Sequence, residues 1–240
     1  MSNDELEDPR RAFLIKALAM GFYASGTASG ILQPVLAMGG RVPKELAPGK
    51  SVYDVQGMVT VNGQQVTLDT QIPHDAQVVT GEDGMMIFAV GQDAFVLRSN
   101  SSLKLSGSNG IVDVLRLISG RLLSVFGKTE HQVATLVATI GIRGTGVYVE
   151  ADPEKSYVCT CYGTTELAAV NDSGSREIIE ATHHDAPKYI LANGNSGKLI
   201  VPAPFINHTD SELALLEALV GRETPFVFSD DAYDSPQKEY

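Results

Sequence analysis

Only two cysteines and no tryptophan occur in 240 residues. So few thiols exclude a disulfide-stapled scaffold, which builds its framework from about four or more. Basic residues are also scarce, 18 against 29 acidic ones, for a net charge of -11. A surface of that sign repels phosphate backbones and anionic lipid headgroups, so nucleic acid and peripheral membranes are excluded as partners. The chain lacks an unbroken apolar run of the roughly 20 residues that a spanning helix needs. Neither a G-x-S-x-G elbow nor an H-E-x-x-H pair is present. The segment Gly194-Asn195-Ser196-Gly197-Lys198 is not a phosphate loop: Ala192 stands where the first glycine belongs and Leu199 replaces the Ser or Thr. With no catalytic constellation left, the chain reads as a non-enzyme.

What is present begins with Arg10-Arg11-Ala12-Phe13-Leu14, followed by Lys16, which resembles a twin-arginine export motif. The stretch from Ala17 to Ile31 is weakly apolar and rich in Gly, Ala and Ser, as a removable signal segment is. Cleavage is expected after Ala37 or Gly39. Loss of residues 1–39 removes four acidic and three basic residues and moves the net charge from -11 to -10. The remaining chain can bury one ample core, and it carries no further membrane span. It is expected in the bacterial periplasm or secreted.

From residue 51 onward the pattern is one strand after another. Asn62-Gly63 lies between Met58-Val59-Thr60-Val61 and Gln65-Val66-Thr67-Leu68, the composition of a two-residue hairpin. Further turn signals fall at Gly81–Gly84, Gly91–Asp93, Ser99–Ser102, Gly107–Gly110 and Gly127–Glu130. A spacing of about ten residues between turns predicts an all-β sandwich or solenoid of short strands. In Thr139–Val149, TIGIRGTGVYV, the glycines Gly141, Gly144 and Gly146 predict a tight turn between strands that carries Arg143 and Thr145. The Arg143 guanidinium, with five donors, is expected to satisfy backbone carbonyls there. Pro202-Ala203-Pro204 closes the strand region. Thr209-Asp210-Ser211-Glu212 then forms a capping box for a helix over 210–220, with Leu213, Leu216, Leu219 and Val220 on its apolar face and Gly221 as its stop. Such a helix is expected to cover an open edge or end of the β stack. The acidic tail, 229–240, is expected to be disordered.

The GIRGT segment and the blocks around it resemble the FecR domain, an exported bacterial β-domain known from regulators that report iron-siderophore uptake to a sigma factor. The resemblance covers roughly Ser51 to Leu167 and follows the family's order: Val55–Gly63, Asp75–Gly81, Phe95–Leu103, Leu115–Leu122, the turn at Gly141, Arg143, Gly144 and Thr145, and a closing strand through Cys161-Tyr162-Gly163. It implies a twisted, solenoid-like stack of short strands over 40–170, with 171–228 as an extension ending in a capping helix. The cytoplasmic helical region that contacts a sigma factor in the regulators has no counterpart here. The function implied is sensing, binding or scaffolding of an envelope protein or ligand.

One constellation falls outside that resemblance. Cys159 and Cys161 form a C-x-C in a strand, where alternation puts both sulfurs on one face. A disulfide between them would be strained. Downstream lie His183, His184 and His208. Two sulfurs with one or two imidazoles suit tetrahedral zinc, or copper as Cu(I). Adjacent histidines on an extended chain point to opposite sides, so one of His183 and His184 is expected to contribute beside His208. Three readings stand: a metal site, cysteines that fill gaps in the core, and a redox-active dithiol. The alternative function is therefore a metal-binding envelope protein on the same fold.

Overall fold

The computed structural model describes residues 45–194 and 197–226; the twin-arginine segment with Arg10, Arg11, Phe13 and Leu14, and the acidic tail, lie outside them. Fourteen strands form one mixed sheet: β1 (Val52–Gln56), β2 (Val59–Val61), β3 (Gln64–Gln65), β4 (Gln77–Thr80), β5 (Met85–Val90), β6 (Asp93–Leu97), β7 (Ser102–Ser108), β8 (Ile111–Val125), β9 (Glu130–Ala134), β10 (Ala138–Ala151), β11 (Lys155–Ala169), β12 (Arg176–Ala181), β13 (Lys188–Leu191) and β14 (Ile200–Pro202). A short helix, α1 (Asp210–Leu219), follows. No helix among the described residues is long and apolar enough to cross a membrane. The fold is therefore mostly β, as the turn spacing predicts.

The main path runs β14-β13-β11-β10-β9-β8-β7-β4-β2-β3, with β12 on β11 and with β1, β5 and β6 joined through β8. Only the β8–β9 pair is parallel among these pairings. The Asn62-Gly63 hairpin forms as expected: φ is 50° and 78° at the two positions, and Thr60 pairs with Gln65. Both strands of the hairpin are shorter than the pattern suggests.

Three strands are not short. β8, β10 and β11 run 15, 14 and 15 residues, and each exchanges partners along its length. β10 pairs with β9 over Thr139–Arg143 and with β8 over Gly146–Ala151, staying antiparallel to β11 throughout. The GIRGT segment is thus a bulge inside a continuous strand, not the tight turn expected of it. The register shifts between Arg143 and Gly146, and Gly144 takes φ 59°. Glycines next to an extra residue bend a strand without reversing it, which lets one strand serve two sets of neighbours.

The sheet has two buried faces. An inner cluster includes Val59, Val78, Phe88, Phe95, Leu103, Leu117, Val147, Val149 and Val158. The opposite face carries Ile87, Ala94, Val96, Leu123, Tyr148, Tyr157, Cys159 and Cys161 under Leu213, Leu215, Leu216 and Leu219 of α1. The helix therefore lies across a sheet face, against β6 and β8, and not over an edge or end. Burial on both sides explains why Met85–Val90 reads as a run of apolar residues without alternation. Thr209 caps α1 as predicted, with Glu212 reaching back to the Thr209 N–H. Gly221, at φ 71°, ends it. Below the last turn the buried Glu217 accepts from Tyr162 and pairs with Arg222.

Candidate metal centre

Strand β11 aims Cys159 and Cys161 at the helix-covered face, both fully buried and both free thiols. Two other segments complete the cluster. The loop between β12 and β13 brings His184, whose backbone N–H donates to Cys161 O at 2.9 Å. The stretch between β14 and α1 brings His208. The Sγ of Cys159 lies 3.4 Å from His184 Nδ1, and His208 Nε2 lies 3.2 Å from the same nitrogen. All four residues are buried, and one ligand atom from each falls within 4.8 Å of the others. A tetrahedral ion with bonds of about 2.0–2.3 Å separates its nitrogens by about 3.3 Å and a nitrogen from a sulfur by about 3.6 Å. The 3.4 Å and 3.2 Å contacts match those spacings. Closing the widest permitted pair onto an ion requires side-chain shifts of about an ångström or less.

The surroundings orient the donors. His208 Nδ1 sits 2.7 Å from Ile206 O, so an N–H there makes Nε2, which faces the cluster, the acceptor nitrogen. His184 Nε2 sits 2.9 Å from Asp210 Oδ1, which turns Nδ1 inward, toward the cluster. The Tyr148 ring stacks on His208 at 4.5 Å, and Phe205 packs on both His184 and His208. These rings exclude water and hold the imidazole planes. Arg98 ties the segment to the sheet, donating to Asn207 O and to Glu212.

The electrostatics shift the two thiols in opposite directions. Burial pushes the Cys159 thiol up, but the Cys161 hydrogen bond and the His208 and His184 imidazoles outweigh it and leave Cys159 well below the ordinary value. Burial and the adjoining Cys159 hold Cys161 well above. Burial lowers His184, yet Asp210 and Cys159 raise it to about 9. Burial also raises Asp210, and the hydrogen bonds from His184 and His183 hold it lower overall. The two thiols are therefore held apart, Cys159 low and Cys161 high, beside the His184–Asp210 contact.

The cluster unites Cys159, Cys161, His208 and one of the adjacent histidines. The reason for the single histidine differs from the expected one. His184 adopts φ 52°, so the two rings do not point to opposite sides; they lie 4.8 Å apart and both reach Asp210. Asp210 itself is invisible to a ligand search by residue spacing, because it occupies the first position of a capped helix, where an acid is expected anyway. At the β10 bulge, Arg143 is exposed and its guanidinium makes no hydrogen bond or ion pair among the described residues. Thr145 does what the arginine was expected to do: its buried hydroxyl lies 2.9 Å from Arg143 O and 3.0 Å from Thr164 O, which share its one proton, and it accepts from the Thr164 N–H. A Cβ at Gly141 or Gly144 would meet its neighbours at ordinary contact distance, 3.6 and 3.8 Å, although Gly144 takes φ 59°, whereas a Cβ at Gly146 would lie 2.5 Å from the Tyr162 ring.

No protein-family model matches the chain, and no curated protein does. Two crystal structures of a candidate anti-sigma factor from Parabacteroides distasonis are similar in chain path, with 11% identity and a TM-score of 0.43 over 53% of this chain. The matched region spans 58% of that protein.

Proposed function

We propose that this protein is a non-enzymatic metal-binding module of the bacterial envelope, built on an FecR-like β-domain. The observation that carries the reading is the buried Cys159–Cys161–His184–His208 cluster, with its donors already oriented by Ile206 O and Asp210. Two thiolates and two imidazoles in tetrahedral reach suit zinc ahead of copper. Four protein ligands leave no open position for water or substrate, as in a structural site. Such an ion would join β11, the β12–β13 loop and the segment ahead of α1, and so hold the helix on the sheet.

Metal analysis of protein purified from its native host tests this. One zinc per chain is expected in the wild type and none in Cys159→Ser. Metal-free wild-type protein with both thiols open to titration after unfolding would leave the cysteines as core packing. The domain would then serve only to sense or scaffold an envelope partner, the reading that the FecR-like block order supports. Export rests on the Arg10-Arg11 motif; replacing both with Lys should hold a reporter fusion in the cytoplasm, and unchanged export would end that part.

A further inference from the structure

His184 turns one ring nitrogen toward the buried cluster and the other away from it. Its Nε2 meets Asp210 Oδ1 at 2.9 Å, and Asp210 Oδ2 lies 2.8 Å from His183 Nε2. His183, His184 and Asp210 thus form a second group whose ligand atoms lie within 4.8 Å of one another. It differs from the first in access: the His183 side chain is 37% exposed, while all four inner residues are buried. The backbone supports the arrangement independently. A non-glycine residue rarely takes the left-handed conformation, yet His184 does so at φ 52°, and this brings the rings of two successive residues to one carboxylate.

We propose that His183, Asp210 and the outer nitrogen of His184 form a second, solvent-facing position for a divalent transition-metal ion, through which the buried centre is loaded. The inference rests on the metal-centre reading above. Two imidazoles and a carboxylate bind zinc, cobalt or nickel, and three protein ligands leave room for water, so the position captures an ion and gives it up. The negative carboxylate draws the cation to the mouth of an otherwise aromatic-walled site. Moving inward, the ion exchanges His183, Asp210 and the outer nitrogen of His184 for the two sulfurs, His208 and the inner nitrogen of His184. The protons on the sulfurs and on His184 Nδ1 leave to water as those atoms bind, His184 Nε2 regains one toward Asp210, and the ion occupies the two positions in turn.

Rapid mixing of the metal-free full chain with Co(II) tests this, because the thiolate-to-cobalt absorption band reports the inner position alone. His183→Phe keeps a ring against Phe226 and removes the donor nitrogen. The variant should reach the wild-type final band, at a rate lower by about tenfold or more. An unchanged rate overturns the proposal. So does a missing final band with wild-type secondary structure, which would make His183 part of the inner site. If the wild type itself gives no band, the metal-centre reading fails and takes this inference with it.

Discussion

Along β10 and β11, Val147, Val149 and Val158 join the inner apolar cluster, while the residues next to them, Tyr148, Tyr157 and Cys159, lie on the helix-covered face. The two faces are buried by different means. Apolar burial on the inner face is non-directional and survives small rearrangements. The helix-covered face adds two thiols, His184, His208, Asp210 and the Tyr162–Glu217–Arg222 chain to its leucines. Each of those groups stabilises only in correct geometry and is costly when left unpartnered. The same strand alternation thus gives one face held by apolar packing and another that gathers a group of side chains able to hold a metal ion.

Disrupting the second face should have the largest effect. Stripping the ion, or changing Cys161→Ser, should abolish metal binding and lower stability by about 4 kcal/mol relative to protein at a free metal level a thousandfold above Kd. Calorimetry with and without chelator measures the difference, and equal melting temperatures would refute it. Protons sharpen this test. With His184 held at about 9 in the metal-free chain, its proton must leave before an ion binds, so apparent affinity should weaken as pH falls below about 9. Metal titrations between pH 6 and 9 check the sign. Without metal the dependence reverses: the raised His184 value stabilises fully below its ordinary 6.5, and that contribution is lost as pH rises through about 9.

On the inner face, Leu117→Ala should cost about 2–5 kcal/mol through the cavity it leaves, with metal stoichiometry unchanged. Loss of metal in that variant would mean that the faces do not behave separately. The smallest effects fall at the β10 bulge. Thr145→Val strands the Thr164 N–H and should cost about 1–3 kcal/mol. Arg143→Ala should stay within about 0.5 kcal/mol, because the guanidinium is exposed. Denaturant unfolding of the pair ranks them, and an unstable Arg143→Ala with a stable Thr145→Val would reverse the roles assigned here.

Features set by a few consecutive residues were legible from the sequence alone. The Asn62-Gly63 hairpin, the Thr209 capping box and the placement of Cys159 and Cys161 on one face depend on turn chemistry, cap hydrogen bonds and the two-residue strand period, all of which act locally. Tertiary structure alone decided the rest. A glycine-rich bend and a glycine-rich reversal have the same composition, so only the continuous pairing of β10 with β11 makes GIRGT a bulge. An amphipathic helix fits an edge or a face equally well; the second apolar face of β5, β6 and β8 determines which. The donor set joins Cys159 to His184, 25 residues away, and orients that histidine through a left-handed backbone and the carboxylate of a helix-capping segment. Local preferences reach a turn or two along the chain, whereas a metal centre needs side chains from separate segments to converge within a few ångströms, and only the packed fold sets that distance.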